Sequence, residues 1–100
     1  MSTPDWHVYL IRCGDGTLYT GVATDVSRRL EEHRRGEGKG AKYLRGRGPL
    51  ELVLERTVGP RGVALSVESR IKRLRRARKE ELIVRNEKID ELIVRVTAGG

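Results

Sequence analysis

Val8-Tyr9-Leu10-Ile11-Arg12-Cys13-Gly14-Asp15-Gly16-Thr17-Leu18-Tyr19-Thr20-Gly21-Val22 is the stretch whose reading decides the fold. Val8, Leu10 and the β-branched Ile11 suit a pleated surface. Gly14-Asp15-Gly16 separates two apolar runs, which is a hairpin signal, and Leu18 to Val22 forms the return strand. Two loops fit. If Asp15-Gly16 is a two-residue turn, Tyr9 and Tyr19 lie on opposite faces, because sides alternate along a strand. If the loop is Gly14-Asp15-Gly16 with Gly16 left-handed, Tyr9 pairs with Gly21 and Ile11 with Tyr19. Both phenols then share one face.

A helix running to His33 follows, with Thr24 or Asp25 as its cap and Val26 and Leu30 as its apolar residues. Arg29 and His33 are four residues apart and share the face of Val26 and Leu30. A cation and an imidazole bordering an apolar stripe are costly unless partnered. Arg28 points the other way, into solvent.

The remaining chain supplies one more strand and basic surface. Residues 34–48 combine Gly36, Gly38, Gly40, Gly46 and Gly48 with Arg34, Arg35, Lys39, Lys42, Arg45 and Arg47, which reads as an electropositive loop tracking phosphates. Tyr43 within it is suited to stacking on a base or assisting chemistry. Leu50, Leu52 and Leu54 alternate with Glu51, Val53 and Glu55, a half-buried strand over 50–58. Gly59-Pro60-Arg61-Gly62 is a turn. A helix is expected from about Val63 to Arg78, with Ala64, Val67, Ile71 and Leu74 as its stripe. Glu68 borders that stripe and is the only acid between Arg56 and Lys79. Its plain reading is an i,i+4 pair with Lys72. The tail repeats Glu-Leu-Ile-Val-Arg at 81–85 and 91–95 and fits either a helix or a strand; it could dock on the domain or pair two copies. The expected architecture is therefore α/β, a three-stranded antiparallel sheet flanked by helices.

Composition narrows the function classes. The chain has 100 residues, enough for one domain, and a formal charge of +7, which points to a polyanion. No apolar run approaches the ~20 residues of a membrane span. The first residues, Met-Ser-Thr-Pro-Asp, lack a basic and apolar leader, so the expected location is the cytoplasm. Cys13 is the only cysteine, which excludes an internal disulfide and a Cys-cluster zinc site.

Val8-Tyr9-Leu10, then Tyr19-Thr20-Gly21, then Arg29 on the next helix together resemble the GIY-YIG nuclease domain. Ala41-Lys42-Tyr43 with Arg45-Gly46-Arg47, and Glu68 before Lys72-Arg73-Leu74, are similar to the small stand-alone bacterial members. The resemblance covers roughly residues 6 to 84. The expected division is thus a nuclease-like domain over 1–84 and an extension over 85–100. Val22 stands where some members carry a lysine. Asn86, the only asparagine, lies in the tail rather than in a matched motif.

The resemblance implies a metal-dependent endonuclease acting on DNA, in repair or in processing of branched or single-stranded substrates. It makes Glu68 the metal ligand, Tyr19 the general base and Tyr9 its orienting partner. The chemistry agrees. A lone carboxylate with waters and phosphate oxygens suits Mg²⁺ or Mn²⁺. Arg29 offers a planar donor fork to a phosphate, and His33 can shuttle a proton or bind phosphate. Lys39, Lys42, Tyr43, Arg45, Arg47, Lys72 and Arg73 are the candidate nucleic-acid contacts. DNA is the expected partner, with RNA not separated from it, and the expected state is a monomer or weak homodimer. A non-catalytic basic binding module and a small RNA-associated protein of the ribosomal type are the competing readings. Pure phosphate binding, however, needs neither two tyrosines nor a lone acid in a basic helix.

Overall fold

The computed structural model describes residues 3–38 and 40–99. Strand β1 (Trp6–Arg12) lies between β2 (Leu18–Ala23) and β3 (Glu51–Gly59) in a three-stranded antiparallel sheet of order β2-β1-β3. Of the two hairpin loops the sequence allows, the three-residue one is present. Tyr9 pairs with Gly21 and Ile11 with Tyr19. Gly16 adopts φ +88°, open to glycine without a Cβ penalty. Its amide donates to the Cys13 carbonyl at 2.9 Å, and Thr17 donates its amide and hydroxyl to the Asp15 carboxylate at 3.0 and 2.7 Å.

As the central strand, β1 is buried on both faces. Val8 and Leu10 face one side, where they meet Leu54 and the helices α3 (Arg61–Lys72), α4 (Arg76–Val84) and α5 (Glu87–Thr97) through Val67, Ile71, Leu82 and Ile89. Tyr9 and Ile11 face the other side, with Cys13, Ala23, Val26 of α1 (Val26–Arg34) and Leu44 of α2 (Ala41–Leu44).

The helix expected from Val63 to Arg78 is two helices. It ends at Lys72, Leu74 donates its amide to the Ile71 carbonyl at 3.0 Å, and an extended Arg75 starts α4. Packing explains the break, since neither glycine nor proline lies there. Leu82 shares a core with Ile71, yet a straight helix would carry it about 16 Å further along the axis. Arg12 fixes the turned segment by two bonds to Glu80, at 2.8 and 2.7 Å. The tail is helical. Ile89 is fully buried, Leu92, Ile93 and Val96 pack beside it, and Val94 faces out. Among the described residues no helix is long and apolar enough to cross a membrane.

Candidate active site

Helix α1 begins where Asp25 accepts the Arg28 amide at 3.0 Å, a cap of about 1 kcal/mol. That start sets the rotation of the helix. Val26 and His33 point inward, Arg28 lies in solvent, and Arg29 sits at the border with its side chain 29% exposed. The His33 ring meets the central strand: its Nε2 is 2.9 Å from the Tyr9 hydroxyl. Tyr19 completes the group, its ring centroid 6.4 Å from Tyr9, 5.4 Å from His33 and 5.6 Å from Tyr43. The two tyrosines therefore lie on one face, as the three-residue loop requires.

Two glycines make room for the phenols. A Cβ at residue 21, directly across from Tyr9, would collide with the Tyr9 hydroxyl and ring. A Cβ at residue 40 would collide with the Tyr19 hydroxyl, and Gly40 also has φ +90°. Nothing in the glycine-rich run distinguishes Gly40 from its neighbours, so the sequence carries no signal for this contact.

The group is electrostatically coupled. Burial pushes the Tyr9 phenol well above its ordinary range, the Tyr19 phenol adds to this, and the Arg29 guanidinium opposes it by charge and hydrogen bond. Burial raises Tyr19 too; the Glu68 carboxylate adds and Arg29 subtracts. Burial lowers the His33 imidazole below 6.5, with Arg29 lowering it further against Glu32. In its Nδ1–H tautomer a neutral His33 accepts the hydrogen bond of the Tyr9 hydroxyl at Nε2, and in the other tautomer Nε2 donates it. That Nδ1 is buried without a protein partner among the described residues.

Arg29 and Glu68 each also make the pair that their spacing alone suggests. Arg29 Nε lies 3.1 Å from Glu32, and Lys72 Nζ lies 3.6 Å from Glu68. Glu68 is nevertheless only 14% exposed, on a helix packed along β1 and β2, and its charge reaches both phenols. No group of three or more His, Cys, Asp or Glu side chains suited to a metal occurs among the described residues. A lone carboxylate does not fit zinc, which takes three or four protein donors. It fits a hard cation that keeps much of its water and draws its other oxygens from a phosphate.

The candidate nucleic-acid residues separate into groups. Lys72 lines a cleft of about 260 Å³ with Tyr19, Tyr43, Leu18, Thr20 and Lys79. Lys79 was not distinguishable in sequence, because the break after Lys72 is what turns α4 toward this cleft. Arg47 holds the loop together, stacking on Tyr43 at 4.6 Å and bonding to its carbonyl and to Asp15, both at 2.7 Å. Lys42 is exposed on α2, and Arg45 lines a larger cavity behind the site with Arg34, Arg35 and His33. Arg73 faces away from this group, into the clefts between α3 and α5. Lys39 lies outside the described residues.

Residues 5–81 match the family described as the GIY-YIG catalytic domain. The chain belongs to the GIY-YIG family. A UPF0213 protein of Citrobacter koseri is 49% identical over 88 residues, covering 88% of this chain and 86% of that one. A UPF0213 protein of Sodalis glossinidius is 52% identical, covering 82% and 75%. The solution NMR structure of a UPF0213 protein from Bacillus halodurans is 44% identical with TM-score 0.52, covering 80% of this chain and 83% of that one. GIY-YIG is a nuclease family whose domains act on DNA and generally depend on a divalent metal. The tyrosines, Arg29 and Glu68 all fall inside the matched span.

Proposed function

We propose that this protein is a divalent-metal-dependent endonuclease that hydrolyses phosphodiester bonds in DNA. The observation that carries the reading is the meeting of the Tyr9 and Tyr19 phenols with the His33 imidazole on one sheet face, beside Arg29 and a cleft whose Lys72 pairs with the half-buried Glu68. A purely binding surface needs neither the phenols nor the carboxylate, whose charge would only weaken the hold on phosphate.

Accessibility divides the roles. Tyr19 opens onto the cleft, whereas Tyr9 is 1% exposed, so Tyr19 is the phenol that meets the attacking water. Tyr9 is a positioning residue beside it, held in place by the 2.9 Å hydrogen bond to His33. Burial and a lowered pKa keep His33 neutral, a hydrogen-bond partner of Tyr9 rather than a phosphate cation. Arg29 receives the phosphate oxygens and favours the phenolate. Glu68 would hold Mg²⁺ or Mn²⁺, which supplies positive charge at the phosphate and the leaving oxygen. Lys72 and Lys79 line the approach. A role in repair or branched-DNA processing, action in the cytoplasm and a monomeric or weakly dimeric state belong to the same proposal.

The test is a panel of labelled DNA and RNA substrates with Mg²⁺ or Mn²⁺, wild type beside Glu68→Ala. Cleavage of DNA by the wild type, absent in a variant that binds DNA as well or better, is the expected result. Tight binding with no cleavage by the wild type overturns the catalytic reading in favour of a binding module.

A further inference from the structure

Two clefts run together along the side of α3 that faces α5. One, of about 350 Å³, is lined by Ser66, Ser69, Arg70, Arg73, Val96 and Gly99. The other, of about 480 Å³, is lined by Arg70, Arg73, Leu74, Leu92 and Arg95. They share Arg70 and Arg73 and so form one groove. Its first wall is a stripe of α3, residues 66, 69 and 70, continued by Arg73 at the helix C-cap and Leu74 in the turn beyond it. Its other wall is a stripe of α5, residues 92, 95 and 96, with Gly99 just past the helix end. Among the described residues no acid lines either cleft, and the cations share the lining with the apolar Leu74, Leu92 and Val96.

The active-site group lies on a different side of α3. Glu68 and Lys72 share one face and act toward the phenols, while Ser69 and Arg73 occupy the next face and bond to each other at 3.0 Å. Half of the groove comes from α5, beyond the residues 5–81 of the family match.

We propose that the α3–α5 groove is a second nucleic-acid surface, holding the phosphodiester backbone of a DNA segment other than the one at the tyrosines. It rests on the reading that the protein acts on DNA. The α3 part of the stripe, from Ser66 to Arg73 at the helix C-cap, spans about 10 Å, room for more than one phosphate of a strand whose charges repeat every ~3.4 Å of duplex axis. Guanidiniums at 73 and 95, on facing helices, straddle such a backbone, and the serine hydroxyls donate to its oxygens.

The measurement is affinity against salt for linear duplexes of increasing length and for a three-arm junction, with wild type, Arg95→Glu and Arg73→Gln. Each lost phosphate contact lowers the log–log slope by about 0.9 on duplex DNA. In the wild type the slope should steepen once the DNA is long or branched enough to reach both surfaces, and in both variants that increment should shrink by about one contact. Arg95→Glu should also cut a short duplex at the wild-type rate. Wild-type slopes on every DNA for both variants would overturn the groove. A protein that cuts nothing yet shows the increment would sink the nuclease reading and leave the groove standing.

Discussion

The two faces of β1 are built from alternate residues and do different work. Val8 and Leu10 enter a cluster whose buried members are all aliphatic, contributed by β3, α3, α4 and α5. Tyr9 and Ile11, one peptide away, enter a smaller cluster that contains a phenol and a thiol, with the buried imidazole of His33 beside it. The first face supplies most of the apolar burial that offsets chain entropy. The second keeps polar groups out of water, which raises both phenols and lowers the imidazole. A strand buried on both sides thus places most of the apolar core on one face and the candidate catalytic groups on the other, and substitutions can separate them.

The largest separation is expected at Tyr19. Tyr19→Phe should lower turnover by ~10²–10⁴ if the phenol is the general base. Its melting midpoint should stay near that of the wild type, because the Tyr19 hydroxyl has no protein hydrogen-bond partner among those identified. Single-turnover kinetics beside calorimetry tests both halves. Loss of rate in proportion to loss of folded protein would break the division. Leu10→Ala should do the reverse. It should cost about 2–5 kcal/mol, a large share of the stability of a domain this size. At low temperature the folded fraction should still cut at the wild-type rate, read from urea titrations and rates per folded molecule.

How far these faces were legible beforehand depends on the signal each carries. The hairpin, the third strand and the inward face of α1 follow from short-range patterns: alternating apolar residues, a glycine turn, and Arg29 and His33 at helical spacing. The choice between two hairpin loops did not follow, since Asp15-Gly16 fits both; Gly16 at φ +88° and the Tyr9–Gly21 pairing decide it. The break after Lys72 was hidden because it is imposed by where Leu82 and Ile89 must pack, not by a helix-breaking residue. Gly40 was hidden for a related reason: its partner, Tyr19, lies on another element. Arg73 sits next to Lys72 in sequence and on a different side of the molecule.

A subtler way to sharpen the comparison is to push one face from beneath. Gly21→Ala adds a single methyl group on β2 that must displace the Tyr9 phenol. Overpacking of this kind costs about 1–3 kcal/mol. The methyl touches no substrate, yet turnover should fall further than stability, because Tyr9 loses its 2.9 Å bond to His33. Restoring space with Gly21→Ala/Tyr9→Leu, which removes both the hydroxyl and the ring atoms that the methyl meets, should recover stability without recovering the rate. Gly16→Val probes the same pairing from the turn. A β-branched residue at φ +88° costs on the order of 1–3 kcal/mol, which lowers the melting midpoint, and a loop that relaxes toward two residues would also take the phenols off their common face.

The smallest expected effect is one of pH. Burial first, then Arg29, lowers the folded-state pKa of His33 below its unfolded value of 6.5. A depressed imidazole means that the unfolded chain takes up the proton more readily than the folded one. Its contribution to stability is therefore complete above pH 6.5 and is lost as pH falls from 6.5 through the folded-state pKa, at no more than about 1.4 kcal/mol per unit. This window is distinct from that of the Glu80 carboxylate, which hydrogen bonds from Arg12 hold below 4.5 and whose stabilisation is lost only at lower pH. His33→Gln keeps a side chain able to accept the Tyr9 hydroxyl and removes the titration. Unfolding free energies from urea titrations at pH 5.5, 6.5 and 7.5 should decline on acidification in the wild type and stay level in the variant across that range. Turnover of the wild type should decline over the same interval, since a protonated His33 can no longer accept a hydrogen bond from the Tyr9 hydroxyl. Equal acid slopes in the two proteins would remove His33 from the buried neutral state on which its link to Tyr9 depends.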